Sequence, residues 1–386
     1  MNEKAMHDKG LTANRAYLDN IETPYAILQP EKWASKRNNL CHLGLKKAPV
    51  CVMLKLPHNH TSQGRGRLSM RDHSTPAAPM QGAPAKTINI AKMARKRGNS
   101  LLLAAAWRRL GDIDRAVRIE QCGTYLEVSV MRDQSEHITA ANFCRERLCP
   151  LCTWRRSARI YAATSAIMDH IDRTDQDHKY LFLTLTVRNV RGEDLAATLD
   201  AMQEGWHRMQ INRAYKRRVR GSMRTLEVTR NAEDGTYHPH YHIILVVPAN
   251  YARRSSGLYW THEDWQRAWA LAARLPYDPM VSIEAVKGGK RRGVEEMAHY
   301  LAKDQEYLIP DNADATDSIV STLHGALSGR RLVAYAGLML QAQRALRIQD
   351  PEAGPLTDDV RGDVVVAIRR YHWHAGLGSY VPASDT

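Results

Sequence analysis

The segment HPHYHIILVV carries two histidines, His240 and His242, separated by one residue. In a β-strand alternate side chains point to opposite faces, so the two imidazoles project together while Tyr241 turns away, and a single cation is within reach of both. Upstream, in TLEVT, Glu227 alternates with the apolar Leu226 and Val228 and emerges on the face opposite theirs. If the two strands pair in the register that lays Glu227 against the histidines, the set is two imidazoles and one carboxylate. Such a set leaves coordination positions for water and phosphate oxygens, as a Lewis-acid centre for phosphodiester cleavage requires. His-x-His on a strand is also what an ordinary polar face looks like, so the pair alone does not decide. His238 is set apart by Pro239, which marks a strand edge. It reads first as a turn or substrate contact and second as a third ligand.

Farther along, GVEEMAHYLAKD has the spacing of a helix in which Glu296 lies four residues before Tyr300 and Lys303 three after it. A carboxylate, a phenol and an ammonium then share one helical face. A phenolate can form a covalent phosphodiester, an ammonium can steady negative charge on a phosphate or on the attacking oxygen, and a carboxylate can deprotonate a second nucleophile. Taken alone, the same letters describe a solvated helix face with a tyrosine at its edge. A third set is Cys122, Cys144, Cys149 and Cys152, in which Cys149-x-x-Cys152 closes a spacing suited to four thiolates around a structural zinc. The neighbouring Arg145, Arg147, Arg155 and Arg156 then read as a phosphate-binding surface on a small rigid module. Cys41 and Cys51 receive no role.

These groups need elements to hold them. KYLFLTLTV reads as a core strand, and LAATLDAMQEGWHRMQINRAYKRR after it as one amphipathic helix with a basic end. MRTLEVT and YHIILVVP read as a hairpin around Asp234-Gly235. WTHEDWQRAWALAARL has the Thr-x-x-Asp start of a capped helix, and VSIEAVK reads as a strand. Upstream, LLLAAAWRRLGDIDRAVRIEQCG reads as a helix running into a short connection, TYLEVSVM as a strand, and WRRSARIYAATSAIMDHI as a helix with Ile160, Ala163, Ile167 and Ile171 on one face. Strands and helices alternate around a sheet with at least one antiparallel pair, so the fold class is α+β. The expected division is a basic, largely flexible arm over residues 1–100, a cysteine-rich zinc module over 101–158, a catalytic domain over 159–310 and a helical C-terminal region over 311–386.

A chain of 386 residues has length enough for a substantial core. Its formal net charge of +14 points to a polyanionic partner, nucleic acid or an acidic membrane surface. Residues 1 to 100 hold 17 Lys and Arg against 6 Asp and Glu, so 11 of the 14 net positive charges fall in the first quarter. The first residues lack the apolar core of a signal peptide and no run approaches a membrane span, so a cytoplasmic location without membrane contact is expected. In a reducing cytosol the six cysteines read as metal ligands before disulfides.

Three segments in this order resemble the rolling-circle replication initiators (Rep proteins) of small bacterial plasmids, within the HUH endonuclease superfamily. YLFLTLTVRN is similar to their first motif, HPHYHIILVV to their metal-binding motif and EEMAHYLAKD to their catalytic tyrosine helix. FCRERLCPLCTWRR is similar to the cysteine-rich stretch of one branch, and TLEVT and SGRRLVAYAGL add to the likeness, which covers residues 110 to 340. The resemblance implies an HUH-endonuclease core, a central antiparallel sheet flanked by helices. It implies that Tyr300 attacks the DNA, keeping the 5′ phosphate and freeing a 3′ hydroxyl, and that His240, His242 and Glu227 hold Mg²⁺ or Mn²⁺. Lys303 matches the family's lysine one turn beyond the tyrosine. Glu296 stands where some relatives carry a second tyrosine, which implies the single-tyrosine branch, ending replication with water; Tyr307, seven residues on, leaves a two-tyrosine mechanism open. Implied partners are plasmid origin DNA, single-stranded or in a hairpin at the nick, and host helicase and replication machinery. The alternatives are an HUH transposase or mobilisation relaxase and, of another class, a non-catalytic zinc-containing DNA-binding regulator.

Overall fold

The runs KYLFLTLT and YHPHYHIILVV become neighbouring strands because each alternates residues for two different faces, and those faces meet two different layers. The computed structural model describes residues 87–286, 307–309, 311–360 and 363–383. The basic arm up to residue 86, with Cys41 and Cys51, and the tyrosine segment 287–306, with Glu296, Tyr300 and Lys303, lie outside them.

In chain order the elements are α1 (Ile90–Arg109), α2 (Ile113–Glu120), β1 (Tyr125–Met131), β2 (Glu136–Ala141), α3 (Pro150–Thr174), β3 (Lys179–Thr186), α4 (Gly192–Ile211) and α5 (Arg213–Arg218). There follow β4 (Gly221–Arg230), β5 (Tyr237–Val247), α6 (His262–Ala273), β6 (Val281–Ala285), α7 (Ala313–Leu327), β7 (Val333–Ala336), α8 (Gly337–Ala345), β8 (Val365–His374) and β9 (Ser379–Pro382). The fold is α+β, with two antiparallel sheets flanked by helices.

The larger sheet has the order β6-β3-β5-β4-β7, with β5 at its centre. One face presents Leu183, Leu185, Tyr241, Ile243 and Leu245 to a core shared with α4 and α6. On α4 the buried residues Leu195, Leu199, Met202, Trp206 and Met209 recur at helical spacing, and α6 answers with Trp265, Ala268, Trp269 and Ala272. The two helices come so close that a Cβ added at Gly205 would stand 2.7 Å from the Ala273 Cα, so no larger residue fits there without moving α6. Helix α6 starts where its sequence says it should, with Thr261 and Asp264 forming a reciprocal capping box.

On the other face Met223, Ile244 and Val246 pack against Ile160, Ile167, Met168 and Ile171 of α3 and Met339 and Ala342 of α8. These apolar residues occupy one end of the face, and the polar residues of β3, β4 and β5 occupy the other. Helix α3, at 25 residues, is about 37 Å long, so it ties the cysteines at its first turn to the far end of the sheet.

The smaller sheet, β2-β1-β8-β9, joins the cysteine segment to the end of the chain. Strand β1 pairs with β2 on one side and, across more than 230 residues of sequence, with β8 on the other. Several local readings differ from the sequence-based ones. Helix α1 begins at Ile90, before the segment where periodicity tightened. The connection after it contains α2, capped by Asp112. The single helix expected over 195–218 is split at Asn212, whose side chain accepts from the Ala214 and Tyr215 N–H groups and starts α5 afresh. The 311–386 stretch, read as mainly helical, holds α7 and α8 and also β7, β8 and β9. Among the described residues no helix is long and apolar enough to cross a membrane.

Candidate active site

Strands β4 and β5 pair so that Glu227 lies directly opposite His240, and Thr225 opposite His242. Opposed residues of an antiparallel pair share a face, and His240 and His242 share it by alternation. The three side chains therefore converge: Glu227 Oε2 is 3.0 Å from His240 Nε2 and 3.1 Å from His242 Nε2. All three residues are buried, at 7, 8 and 6% exposure. Met223, Ile244 and Val246 of the same two strands pack against α3 and α8, and the triad lies farther along that face.

Each histidine is turned by a hydrogen bond at its other nitrogen. His240 Nδ1–H donates to the His238 carbonyl at 3.1 Å, which fixes the tautomer and leaves Nε2 facing Glu227. His242 Nδ1 is 3.2 Å from the Thr184 hydroxyl of β3, and the ring stacks on Phe182 at 5.6 Å between centroids. The three ligand atoms lie within 4.8 Å of one another and could hold a metal ion.

His238 does not join this set. Its Nδ1 meets Asn189 Oδ1 at 2.7 Å, and burial, reinforced by neighbouring His240 and opposed by Glu227, holds its imidazole below the usual range. Pro239 explains the position. The β3–β5 ladder runs from Lys179 opposite Val247 to Thr186 opposite His240, and resumes at a bridge between Val190 and Tyr237. Between these points Pro239 offers no N–H, the ladder opens, and residues 187 to 189 oppose only 238 and 239, a bulge that aims Asn189 at His238.

The second cluster lies at the start of α3. The Cys122 Sγ is 3.5 Å from that of Cys152 and 3.7 Å from that of Cys149, and the Cys144 Sγ is 3.7 Å from that of Cys152. The Cys144 and Arg145 N–H groups donate to the Cys122 and Cys152 sulfurs, and Ser100 stands 3.3 Å from the Cys149 sulfur. Burial opposes ionisation of Cys149, but hydrogen bonds from Cys122, Cys144, Cys152 and Ser100 outweigh it and hold this thiol well below its ordinary value. These four residues could also hold a metal ion.

Comparison with known proteins settles the kinship. The family model described as Replication protein matches residues 135–374, which contain the Glu227–His240–His242 cluster, Cys144, Cys149 and Cys152 of the second cluster, and the tyrosine segment. The protein rep of Streptococcus pneumoniae is 33% identical over 293 residues, covering 73% of this chain and 88% of its own length. This chain belongs to the Rep family of replication proteins. The protein rep of Bacillus amyloliquefaciens is likewise 33% identical over 294 residues, 69% of this chain and 84% of that one, and that of Lactiplantibacillus plantarum 32% over 255 residues, 64% and 79%. No solved structure matches the chain.

Two expectations for this Rep chain change in the structure. The hydroxyl of Tyr307 is buried and donates to the Leu148 carbonyl at 2.6 Å, so this tyrosine is tied into the core. The arginines beside the cysteines are not one exposed surface. Arg155 is 2% exposed, donates to the Leu356 carbonyl and pairs with Asp358 at 3.1 Å, while Arg147 pairs with Glu352 at 3.0 Å. Thr184 and Asn189 are the residues that the sequence reading passed over. The signal for Thr184 was present, since in KYLFLTLT Thr184 alternates with Leu183 and Leu185 and must face the histidines.

Proposed function

We propose that this chain initiates plasmid rolling-circle replication by nicking one strand of the origin DNA. The observation that carries the proposal is the Glu227–His240–His242 triad, formed by three ligand atoms on adjacent strands, within a chain of the Rep family. In octahedral coordination with bonds of about 2.1 Å, neighbouring ligand atoms stand about 3.0 Å apart. The 3.0 and 3.1 Å separations here fit two such edges, so the triad suits Mg²⁺ or Mn²⁺ with positions left for water and phosphate oxygens. A cation bound there would polarise the nonbridging oxygens of the scissile phosphate and offset charge in the transition state.

Tyr300, Glu296 and Lys303 take their proposed roles from helical spacing and family membership. Tyr300 attacks phosphorus through its phenolate oxygen; the P–O3′ bond breaks, the 5′ phosphate stays on the tyrosine, and the 3′ hydroxyl leaves as a primer. Lys303 steadies the developing negative charge. After a round of copying, Glu296 takes a proton from water, which cuts the regenerated nick site; the 3′ hydroxyl so freed attacks the phosphorus held on Tyr300, the phenolate leaves, and the strand is closed. The energy of the cut bond is kept in the phosphodiester to tyrosine, so resealing needs no nucleotide. Thr184 and the His238 carbonyl position the ligand histidines.

The four cysteines fit a structural zinc. With Zn–S bonds of about 2.3 Å, tetrahedral geometry spaces the sulfurs about 3.8 Å apart, close to the 3.5–3.7 Å found. The domain reading that goes with this function is a zinc module built around the cysteines and a catalytic domain built on the larger sheet. Incubation of the full chain with supercoiled origin plasmid and Mn²⁺ tests the proposal. Open circles are expected from the wild type and none from His240→Ala; a wild type that binds the plasmid but leaves it supercoiled would reduce the protein to a DNA-binding regulator.

A further inference from the structure

A cavity of about 400 Å³ carries Arg145, Arg147, Arg156, Arg330 and Arg331 in its walls. Two carboxylates, Asp350 and Glu352, share it, so five positive charges meet two negative ones. Arg145 and Arg156 are held in place by the backbone, while Arg147, Arg330 and Arg331 pair with Glu352, Asp200 and Asp350. Arg145 reaches the Ala353 and Gly354 carbonyls, and Arg156 bonds the carbonyls of Arg145, Glu146 and Arg147. Neither Arg145 nor Arg156 has a carboxylate partner among the described residues, so their charge is fixed in position and not neutralised. Arg145 also sits at φ +61°, a conformation rare for a residue with a side chain. It lets the Arg145 N–H point at Cys152 while its guanidinium stays at the cavity.

The place of the cavity joins it to the candidate active site. Leu226 N–H donates to the Leu332 carbonyl at 2.8 Å, and Arg224 donates to the Arg331 carbonyl. The residue after Leu226 is the ligand Glu227, and the residue before Leu332 is Arg331, 62% exposed and paired with Asp350 at 2.8 Å. The cavity thus begins within a residue of the triad along the sheet edge, and its far wall is the cysteine turn.

We propose that this cavity binds the phosphodiester backbone of the single strand whose neighbouring phosphate lies at the triad, and so fixes that strand between the cysteine module and the larger sheet. The inference rests on the nicking reading for the identity of its ligand. Guanidiniums held by carbonyls lose little freedom on binding phosphate and offer paired N–H groups that match its oxygens. Asp350 occupies Arg331 in the absence of DNA and yields it to a phosphate.

Binding of a fluorescein-labelled single-stranded oligonucleotide to the full chain, followed by anisotropy over a series of KCl concentrations, tests this. Arg331→Ala and Arg145→Ala should each weaken binding about ten-fold. Each should also reduce the slope of log K against log salt by about 0.7, one single-strand phosphate contact. Asp350→Asn keeps the oxygen that accepts from the Glu352 and Ala353 N–H groups. It should bind more tightly than the wild type, which damage to the fold would not produce. Unchanged affinity and slope in both arginine variants overturn the inference, as does an Asp350→Asn that weakens binding as far as Arg331→Ala does. The same preparations are scored for nicking. Weakened binding in the arginine variants of a chain that never nicks retains the cavity and removes the nicking reading; normal nicking with wild-type binding in those variants does the reverse.

Discussion

A hydroxyl on the neighbouring strand helps turn the His242 ring. Thr184 lies opposite His242 in the β3–β5 register and contacts Nδ1 at 3.2 Å. Thr184→Val keeps the branched shape and removes the partner, so Mn²⁺ affinity measured by titration calorimetry should fall about 10-fold or more. Glu227→Ala should remove measurable Mn²⁺ binding at the triad, since it deletes one ligand and leaves two imidazoles. Tyr307→Phe should leave nicking intact while lowering stability by about 1 kcal/mol in urea unfolding, the loss expected for one buried hydrogen bond to the Leu148 carbonyl. Alternation made the shared face of His240 and His242 legible in the sequence, and it put Glu227 on a definite side of its strand. What alternation could not give was the partner of each group. The buried ion pair of Arg155 with Asp358 and the bond from Tyr307 to Leu148 join residues far apart in the chain, so a local reading took Arg155 for surface and left Tyr307 open.

Elements were legible where local chemistry starts or stops them. Thr261 and Asp264 announce α6, Asp234-Gly235 turns β4 into β5, and β3 follows from its own pattern. The split at Asn212 was missed because apolar periodicity runs on across it, while the side-chain cap acts over only a few residues. The bulge opposite Pro239 depends on pairing with β3 and is invisible until that pairing exists. The contact between α4 and α6 carries an element-scale consequence. Gly205→Ala forces its Cβ to 2.7 Å from Ala273 Cα, and the expected cost is about 1–3 kcal/mol by thermal or urea unfolding, despite alanine's better helix propensity. Stability equal to the wild type would show that α6 shifts away freely. Chelation of the metal proposed at the cysteines should lower the melting temperature and expose thiols to an added reagent, because Cys149 is the N-cap of α3 and Cys152 lies in its first turn.

The whole molecule is tied together by a pairing the sequence could not reveal. Strands β8 and β9 return from the end of the chain to complete the sheet begun by β1, and Arg155 and Asp358 lock the same join from within. A chain ended before Val365 should keep the larger sheet and lose the order of the cysteine segment, seen as thiols that react with a reagent at a rate near that of the unfolded protein. Slow reaction, as in the full chain, would show that β1 and β2 stand without β8. The basic composition points to a polyanionic partner, and the Rep kinship agrees with it.

The direct test of the chemistry is to find the atom that holds the DNA. The full chain is incubated with origin plasmid and Mn²⁺, the covalent complex is digested with protease and nuclease, and the modified peptide is sequenced by mass spectrometry. The expected result is a nucleotide joined through its 5′ phosphate to Tyr300, and no adduct from Tyr300→Phe. An adduct on another residue, or nicked circles with no protein attached, would contradict it.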